Sequence, residues 1–163
     1  MPNYKSHPDL SGEASWEPIS PPGILTNPNS FISGDPESNR LRLKYYHDPE
    51  ENRIVAQTWF GPGAEGPPRH AHGGSIAAVL DEAMGMAALF AGHPVVARSI
   101  HVNFYKILPL ETVVSVITRV KKVERKKVFV TGELISEDNL VFASSDGLFI
   151  DIGYNALAEM MKG

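Results

Sequence analysis

The fold is decided by residues 70–92, HAHGGSIAAVLDEAMGMAALFAG. From Ser75 to Ala91 this stretch is rich in Ala, Leu and Met, which predicts a helix, and its only charged residues are Asp81 and Glu82. A helix that is apolar nearly all round is normally buried. Two carboxylates inside it need a partner or a function, because an unpaired buried charge is costly.

The residues just before this helix indicate an anion or oxyanion site. Gly73, Gly74 and the hydroxyl of Ser75 precede the first predicted turn, where backbone N–H groups have no acceptor within the helix. Such groups lie at the positive end of the helix dipole. We predict Ser75 as an N-cap and not as a nucleophile, because GGSIA lacks the G-x-S-x-G pattern of serine hydrolases.

Length and composition favour one domain of 163 residues. The net charge of −4, with both signs interspersed, gives no surface for nucleic acid, and the absence of cysteine excludes disulfides and thiol catalysis. We recognise neither a signal peptide nor a membrane span, so we expect a cytoplasmic protein. The expected parts are an N-terminal arm at 1–30, extended or partly disordered and docked by Trp16 and Ile19, the main domain at 31–153, and a short C-terminal tail at 154–163.

Six strands are predicted around the helix. Their bounds are 41–46, 54–60, 98–106, 112–123, 127–136 and 140–152. Short connections predict that the last four strands are sequential antiparallel neighbours. We therefore predict an α+β fold in which an antiparallel sheet of about six strands is wrapped around one long central helix. The helix positions expected to pack most deeply are Ile76, Leu80, Ala83, Ala87 and Phe90.

The loop before the helix contains an apparent dinucleotide motif. Gly61, Gly63 and Gly66 match G-x-G-x-x-G and follow a predicted strand. In a dinucleotide-binding fold the motif opens directly into a helix, whereas Pro67 and Pro68 follow it here. The sequence therefore predicts no nucleotide cofactor at this loop.

Two histidines in the same loop raise the question of a metal. His70 and His72 form H-x-H, but no third ligand stands at a suitable spacing, so we predict no metal site. We favour a structural role for His72, in which the ring orients the turn through hydrogen bonds, over a role as general base.

The HGG motif at 72–74, with Asp81 on the following helix and then Gly85, resembles the hotdog-fold acyl-CoA thioesterases, specifically their phenylacetyl-CoA thioesterase-like branch. The resemblance extends in order from near Phe31 to near Ile152, which makes 31–153 a hotdog thioesterase domain. It implies a thioester hydrolase that acts on acyl-CoA without a cofactor.

The resemblance also implies the roles of site residues. The N–H of Gly73 receives the thioester carbonyl oxygen, Asp81 activates water or attacks the carbonyl carbon, and His72 supports the turn. Glu82 is expected to be a supporting group and the alternative acid. Residues expected near the substrate are Gly74, Ser75, Glu82, Met84, Ala97, Ser99 and Asn103. Met84, Met86, Leu89 and Phe90 are candidate acyl-chain walls or simply core, and the candidates for the CoA phosphates are Arg98, Lys106, Arg125 and Lys126.

Two positions depart from the family pattern. Several relatives carry Thr or Ser six residues before the position of Asn103, and this chain has Ala97 there. We expect Ser99 to lie on the same strand face and to substitute for the missing hydroxyl. Ser33-Gly34 replaces the Cys-Gly of many relatives, which we interpret as a packing difference.

The spacing of the two principal residues bears on assembly. Gly73 and Asp81 are eight residues apart, about 12 Å along a helix axis, whereas reacting atoms must approach to about 3.5 Å. One subunit therefore cannot complete the site alone. We predict a homodimer with two shared active sites, as the resemblance also implies, or a dimer of such dimers that makes a homotetramer.

Two other functions are alternatives to thioester hydrolysis. A hotdog dehydratase is expected to place its Asp and His differently, because here the histidine precedes the glycines and the acid follows on the helix. The second is a non-catalytic protein that binds acyl-CoA or an aromatic ligand and has lost turnover, for which Ala97 is the only indication.

Overall fold

A computed structural model of the chain describes residues 8–21 and 27–163, so the rest of the predicted arm, 1–7 and 22–26, lies outside the described residues. The elements are β1 Glu17–Ile19, β2 Leu41–Asp48, β3 Arg53–Phe60, α1 Gly73–Phe90, β4 Val95–Phe104, β5 Val113–Glu124, β6 Lys127–Ile135, β7 Val141–Asp151 and α2 Gly153–Met160. The strands form one antiparallel sheet in the order β1-β2-β3-β5-β6-β7-β4, and five of them contact α1. The predicted α+β fold is confirmed.

The core lies between α1 and the concave face of the sheet. The fully buried side chains of α1 include Val79, Leu80 and Met84. Met84 lies over two glycines of β6 and β7: a Cβ atom on Gly132 would stand 3.3 Å from its Cγ, and one on Gly147 only 3.2 Å from its Cε. The two glycines thus make room for the Met84 side chain.

The prediction of which α1 side chains pack most deeply is wrong for one residue. Phe90 is predicted to pack deeply, but it is 38% exposed at the last position of the helix. Among the described helices α1 has the length and mean hydropathy (1.3) that a membrane span requires, and a core helix meets the same two criteria.

The described part of the N-terminal arm adds a seventh strand to the six predicted. β1 pairs with β2, and Trp16 beside it is buried against Tyr46 with ring centroids 6.1 Å apart. The Tyr46 hydroxyl donates to the backbone carbonyl of Leu10, which fixes the chain before β1. Trp16 therefore docks this part of the arm on the outer side of β2.

The predicted pairing of β4 with β5 is wrong. β5 pairs with β3, and β4 pairs with β7 at the far edge of the sheet. The connecting residues 105–112 cross below the start of α1, where Leu108 is fully buried and its carbonyl accepts from the Ala71 N–H at 2.8 Å. A connection held in the core in this way does not form a hairpin, although it is short enough for one.

β4 contains a β-bulge at Arg98. Ala97 lies opposite Phe149, and the next paired residue, Ser99, lies opposite Leu148, so Arg98 has no partner in the register. The extra residue reverses the alternation along the strand. Val95 and Ala97 face inward before the bulge, and Ile100 and Val102 face inward after it.

The residues predicted as a C-terminal tail contain a second helix. α2 follows directly on β7, after Gly153 turns the chain with a positive φ of 77°. None of its side chains is buried, so α2 adds nothing to the main core.

Candidate active site

The start of α1 is organised by His72. Its backbone is extended (φ −66°, ψ 135°), and its Nδ1 accepts the Gly74 N–H at 2.8 Å, so His72 is the N-cap. Ser75, predicted as the cap, lies inside the first turn, where its hydroxyl donates to the His72 carbonyl at 2.6 Å. The helix begins two residues earlier than predicted because an imidazole ring replaces the usual short capping side chain.

The cap decides which backbone N–H groups remain available. The Gly74 N–H is occupied by His72, whereas the Gly73 N–H has no acceptor among residues 8–21 and 27–163. A Cβ atom on Gly73 would lie 3.5 Å from the Phe104 ring, so this donor stands beside the last residue of β4. Of the two glycines, Gly73 is the one that can bind an incoming oxygen.

The second histidine of the loop is directed elsewhere. His70 Nδ1 bonds to the Pro68 carbonyl at 2.9 Å, while His72 bonds within the cap. In the described part of the chain no three His, Cys, Asp or Glu side chains are grouped so that they could hold a metal.

Asp81 lies two turns along α1, half-buried at the edge of a cavity of about 250 Å³. We call this the Asp81 cavity; it is lined by Asp81, Glu82, Gly85, Met86, Leu89, Pro94, Val95, Ala97, Phe149 and Leu157. Asp81 makes no hydrogen bond or ion pair with any described residue, and burial raises the pKa of its carboxyl. Asp81 is therefore a carboxylate with a raised pKa, without a partner among the described residues, at the edge of a mostly apolar pocket.

Glu82 is engaged by hydroxyl groups. The Tyr45 hydroxyl donates to its carboxylate at 3.1 Å, and the hydroxyls of Ser33 and Ser30 lie near enough to lower its pKa. Burial raises the pKa of Glu82, the three hydroxyls lower it and the Asp81 charge raises it. Ser33 therefore lies near this carboxylate, and its interpretation as a packing difference stays a prediction. Asp81 is left as the acid available for chemistry.

The bulge in β4 puts residues that were predicted near the substrate on opposite faces of the sheet. Ala97 faces α1 and lines the Asp81 cavity. Ser99 and Asn103 follow the bulge and face the other side of the sheet, away from Asp81. Ser99 cannot replace the hydroxyl missing at Ala97, and the structure does not place Asn103 at the site.

The candidate acyl-chain walls divide into three groups. Met86 and Leu89 line the Asp81 cavity, whereas Met84 belongs to the core and has no exposed surface. Phe90 lines a different cavity of about 600 Å³ at the C-terminal end of α1, beside Arg53 and Arg119. That cavity is larger, but neither Gly73 nor Asp81 lines it.

The basic residues suggested for the CoA phosphates do not form one cluster. Lys126 lies beside the end of β7, where its carbonyl accepts the Asp151 N–H at 2.8 Å. Lys106 follows β4 at the opposite end of the sheet, next to Phe142. No single phosphate site contains both.

Comparison with known proteins shows which family part of the chain matches. Residues 69–143 match the family described as the thioesterase superfamily. The chain is 34% identical over 117 residues to acyl-coenzyme A thioesterase THEM5 of Homo sapiens, a match that covers 71% of this chain and 47% of that protein. The matched segment, residues 69–143, belongs to the thioesterase superfamily. The chain spans about half the length of the curated relatives it matches.

Solved structures share the fold. A crystal structure of a thioesterase superfamily protein has a TM-score of 0.67 at 21% identity, over 77% of this chain and 60% of that one. A hypothetical thioesterase from Streptococcus pneumoniae TIGR4, solved with coenzyme A, has a TM-score of 0.60 at 16% identity, over 62% of this chain and 82% of that one. The hotdog fold expected from the HGG motif is thereby confirmed.

Proposed function

We propose that this protein is an acyl-CoA thioesterase that hydrolyses the thioester to a free acid and CoA. The observation that carries the proposal is the half-buried carboxylate of Asp81 in a mostly apolar cavity, together with the Gly73 N–H at the positive end of the same helix. Neither group has a hydrogen-bond partner within residues 8–21 and 27–163. Thioester hydrolysis needs a group that delivers the nucleophile and a donor for the oxyanion.

The reaction follows from these two groups. Asp81 takes a proton from water, the water oxygen bonds to the thioester carbon, and the carbonyl oxygen becomes an oxyanion that accepts the Gly73 N–H of the other subunit. The C–S bond then breaks and the CoA thiolate takes up the proton. Direct attack by the Asp81 carboxylate, followed by hydrolysis of the anhydride, uses the same positions and gives the same products.

A dimer through β4 supports the sharing of the site. β4 is a sheet edge ten residues long, and its outer N–H and C=O groups can pair with a strand of another chain. Within one chain Gly73 lies beside Phe104, and Asp81 shares its cavity with Ala97, near opposite ends of this strand. Antiparallel pairing of two β4 strands brings Asp81 of one subunit toward Gly73 of the partner subunit, twice per dimer. Light scattering distinguishes this dimer from a dimer of dimers.

A neighbour of the same fold provides further support. Two solved forms of the S. pneumoniae thioesterase carry alanine in place of an aspartate and of a threonine, and the printed positions of these two residues differ by sixteen. Asp81 and Ala97 are separated by the same number of positions. This chain therefore has the aspartate at that spacing and naturally carries alanine at the second position.

The proposal is tested by measuring thiol release from acyl-CoAs. The panel runs from acetyl- to palmitoyl-CoA and includes benzoyl- and phenylacetyl-CoA. We expect turnover of at least one member by the wild-type protein. No turnover of any member by a folded dimer would contradict the proposal.

Ala97 favours one second candidate, a protein that binds acyl-CoA without hydrolysing it. The hydroxyl that the family resemblance implies for positioning water is missing at this place. In that case CoA thioesters would raise the melting temperature without any release of thiol.

The pH dependence of kcat/KM reports the state of the catalytic acid. Asp81 acts as a carboxylate, so activity falls as pH falls through its pKa. Because burial raises that pKa, we expect the acid limb to lie above about 3.9, the value of an unperturbed aspartate. Glu82→Gln is the matched control, because the amide oxygen still accepts from Tyr45, and the limb is expected to stay. A limb that disappears in Glu82→Gln would assign the acid to Glu82.

A further inference from the structure

The helix α2 lies beside the Asp81 cavity and has no buried side chain. Leu157 is half-buried and lines the cavity that contains Asp81 and Ala97. The other large apolar side chains of this helix face outward, with Tyr154 58% and Met160 65% exposed. Since α2 buries no side chain in the main core, stability alone does not account for its position.

The position of α2 is fixed at its first residue. Asp151 at the end of β7 accepts the Gly153 N–H at 2.9 Å through one carboxylate oxygen and contacts His93 Nδ1 at 2.9 Å through the other. The Ile152 N–H donates to the Pro94 carbonyl at 2.9 Å. These bonds tie the start of α2 to the loop between α1 and β4, so that Leu157 is held over the space between those two elements.

The chemistry of the cavity defines which part of a substrate meets Leu157. A thioester carbon must come within about 3.5 Å of the nucleophile, here at the Asp81 carboxylate. The other side chains of the cavity are mostly apolar, among them Met86, Leu89 and Val95. The acyl group belongs there, because the charged CoA portion must remain in water.

We propose that Leu157 of α2 is a specificity-determining residue that forms the far wall of the acyl pocket and limits the chain length of the substrate. The inference rests on the proposed thioesterase function and adds the substrate range. The cavity that Leu157 lines has a volume of about 250 Å³, so a change in the size of this side chain alters the room beside Asp81 directly.

The test changes the wall and measures kcat/KM across straight-chain acyl-CoAs from acetyl to palmitoyl in the full-length dimer. Leu157→Ala removes the wall and is expected to raise the ratio of long-chain to short-chain kcat/KM at least tenfold, since one methylene in an apolar pocket changes kcat/KM by about 10- to 200-fold. Leu157→Trp fills the pocket and is expected to shift the preference toward acetyl-CoA. Circular dichroism checks that both variants are folded.

Met160→Ala is the matched control, because this side chain lies on the same helix and is exposed. It is expected to leave the chain-length profile unchanged. If Leu157→Ala and Leu157→Trp change kcat/KM equally for all chain lengths, or if Met160→Ala shifts the profile as strongly as they do, the assignment of Leu157 is overturned. A wild-type protein that hydrolyses no acyl-CoA overturns the proposed function itself, and the chain-length assignment with it.

Discussion

Replacing Asp81 with Asn is expected to lower kcat for acyl-CoA hydrolysis by about 10²- to 10⁴-fold, the range that a positioned acid–base group contributes. The amide has nearly the shape of the carboxylate but can neither accept a proton from water nor act as a nucleophile. Asp81 has no hydrogen bond or ion pair with a described residue, so the substitution breaks no structural contact and the dimer is expected to remain folded. Steady-state thiol release measures the effect.

The control for this substitution is the neighbouring acid. Glu82→Gln keeps an acceptor for Tyr45 and leaves Asp81 intact, so kcat is expected to stay within a few-fold of wild type. Activity near the wild-type level in Asp81→Asn would remove this residue from the mechanism. Loss of activity in Glu82→Gln alone would transfer the catalytic role to Glu82.

Replacing Gly73 with Pro is expected to reduce kcat by about 10²- to 10³-fold, because it deletes one oxyanion donor. The backbone tolerates this change. Proline is favoured at the first helical position, and the residue before it must be extended, as His72 is with φ −66° and ψ 135°. Gly73→Ala is the matched control, since it keeps the N–H and its Cβ meets the Phe104 ring at an ordinary 3.5 Å.

Mixing the two inactive variants tests whether the site is shared. In a heterodimer of Asp81→Asn and Gly73→Pro chains, one of the two shared sites has both wild-type groups, so co-expression is expected to restore up to half of the activity per heterodimer. If each chain holds its own site, no combination contains both groups. Absence of complementation in a verified heterodimer would refute the shared arrangement.

The sequence predicted the fold where local pattern and burial agree. The apolar run of α1 predicts its ends to within two residues, and the alternation predicts the ends of six of the seven described strands to within three. The prediction that β4 pairs with β5 was wrong, because strand order depends on contacts between residues far apart in the sequence. Here the buried Leu108 carries the connection beneath α1.

The pattern along one helix indicated the glycines at its start and the acid pair within it, and the family resemblance selected Gly73 and Asp81 from them. The structure leaves both without a hydrogen-bond partner among the described residues. The contact between Tyr45 and Glu82 joins positions 37 residues apart, and only the inward alternation of β2 hinted at it. Leu157 was missed because its helix was predicted as a tail.

The bulge in β4 also decides which residues of this strand face inward. If Arg98 were paired in a regular register and not bulged, the strand would alternate in one phase, and either the pair Val95 and Ala97 or the pair Ile100 and Val102 would turn outward. The first outcome removes a wall of the cavity, and the second removes two side chains from the core. The bulge therefore lets a single edge strand line the Asp81 cavity at one end and contribute to the core at the other.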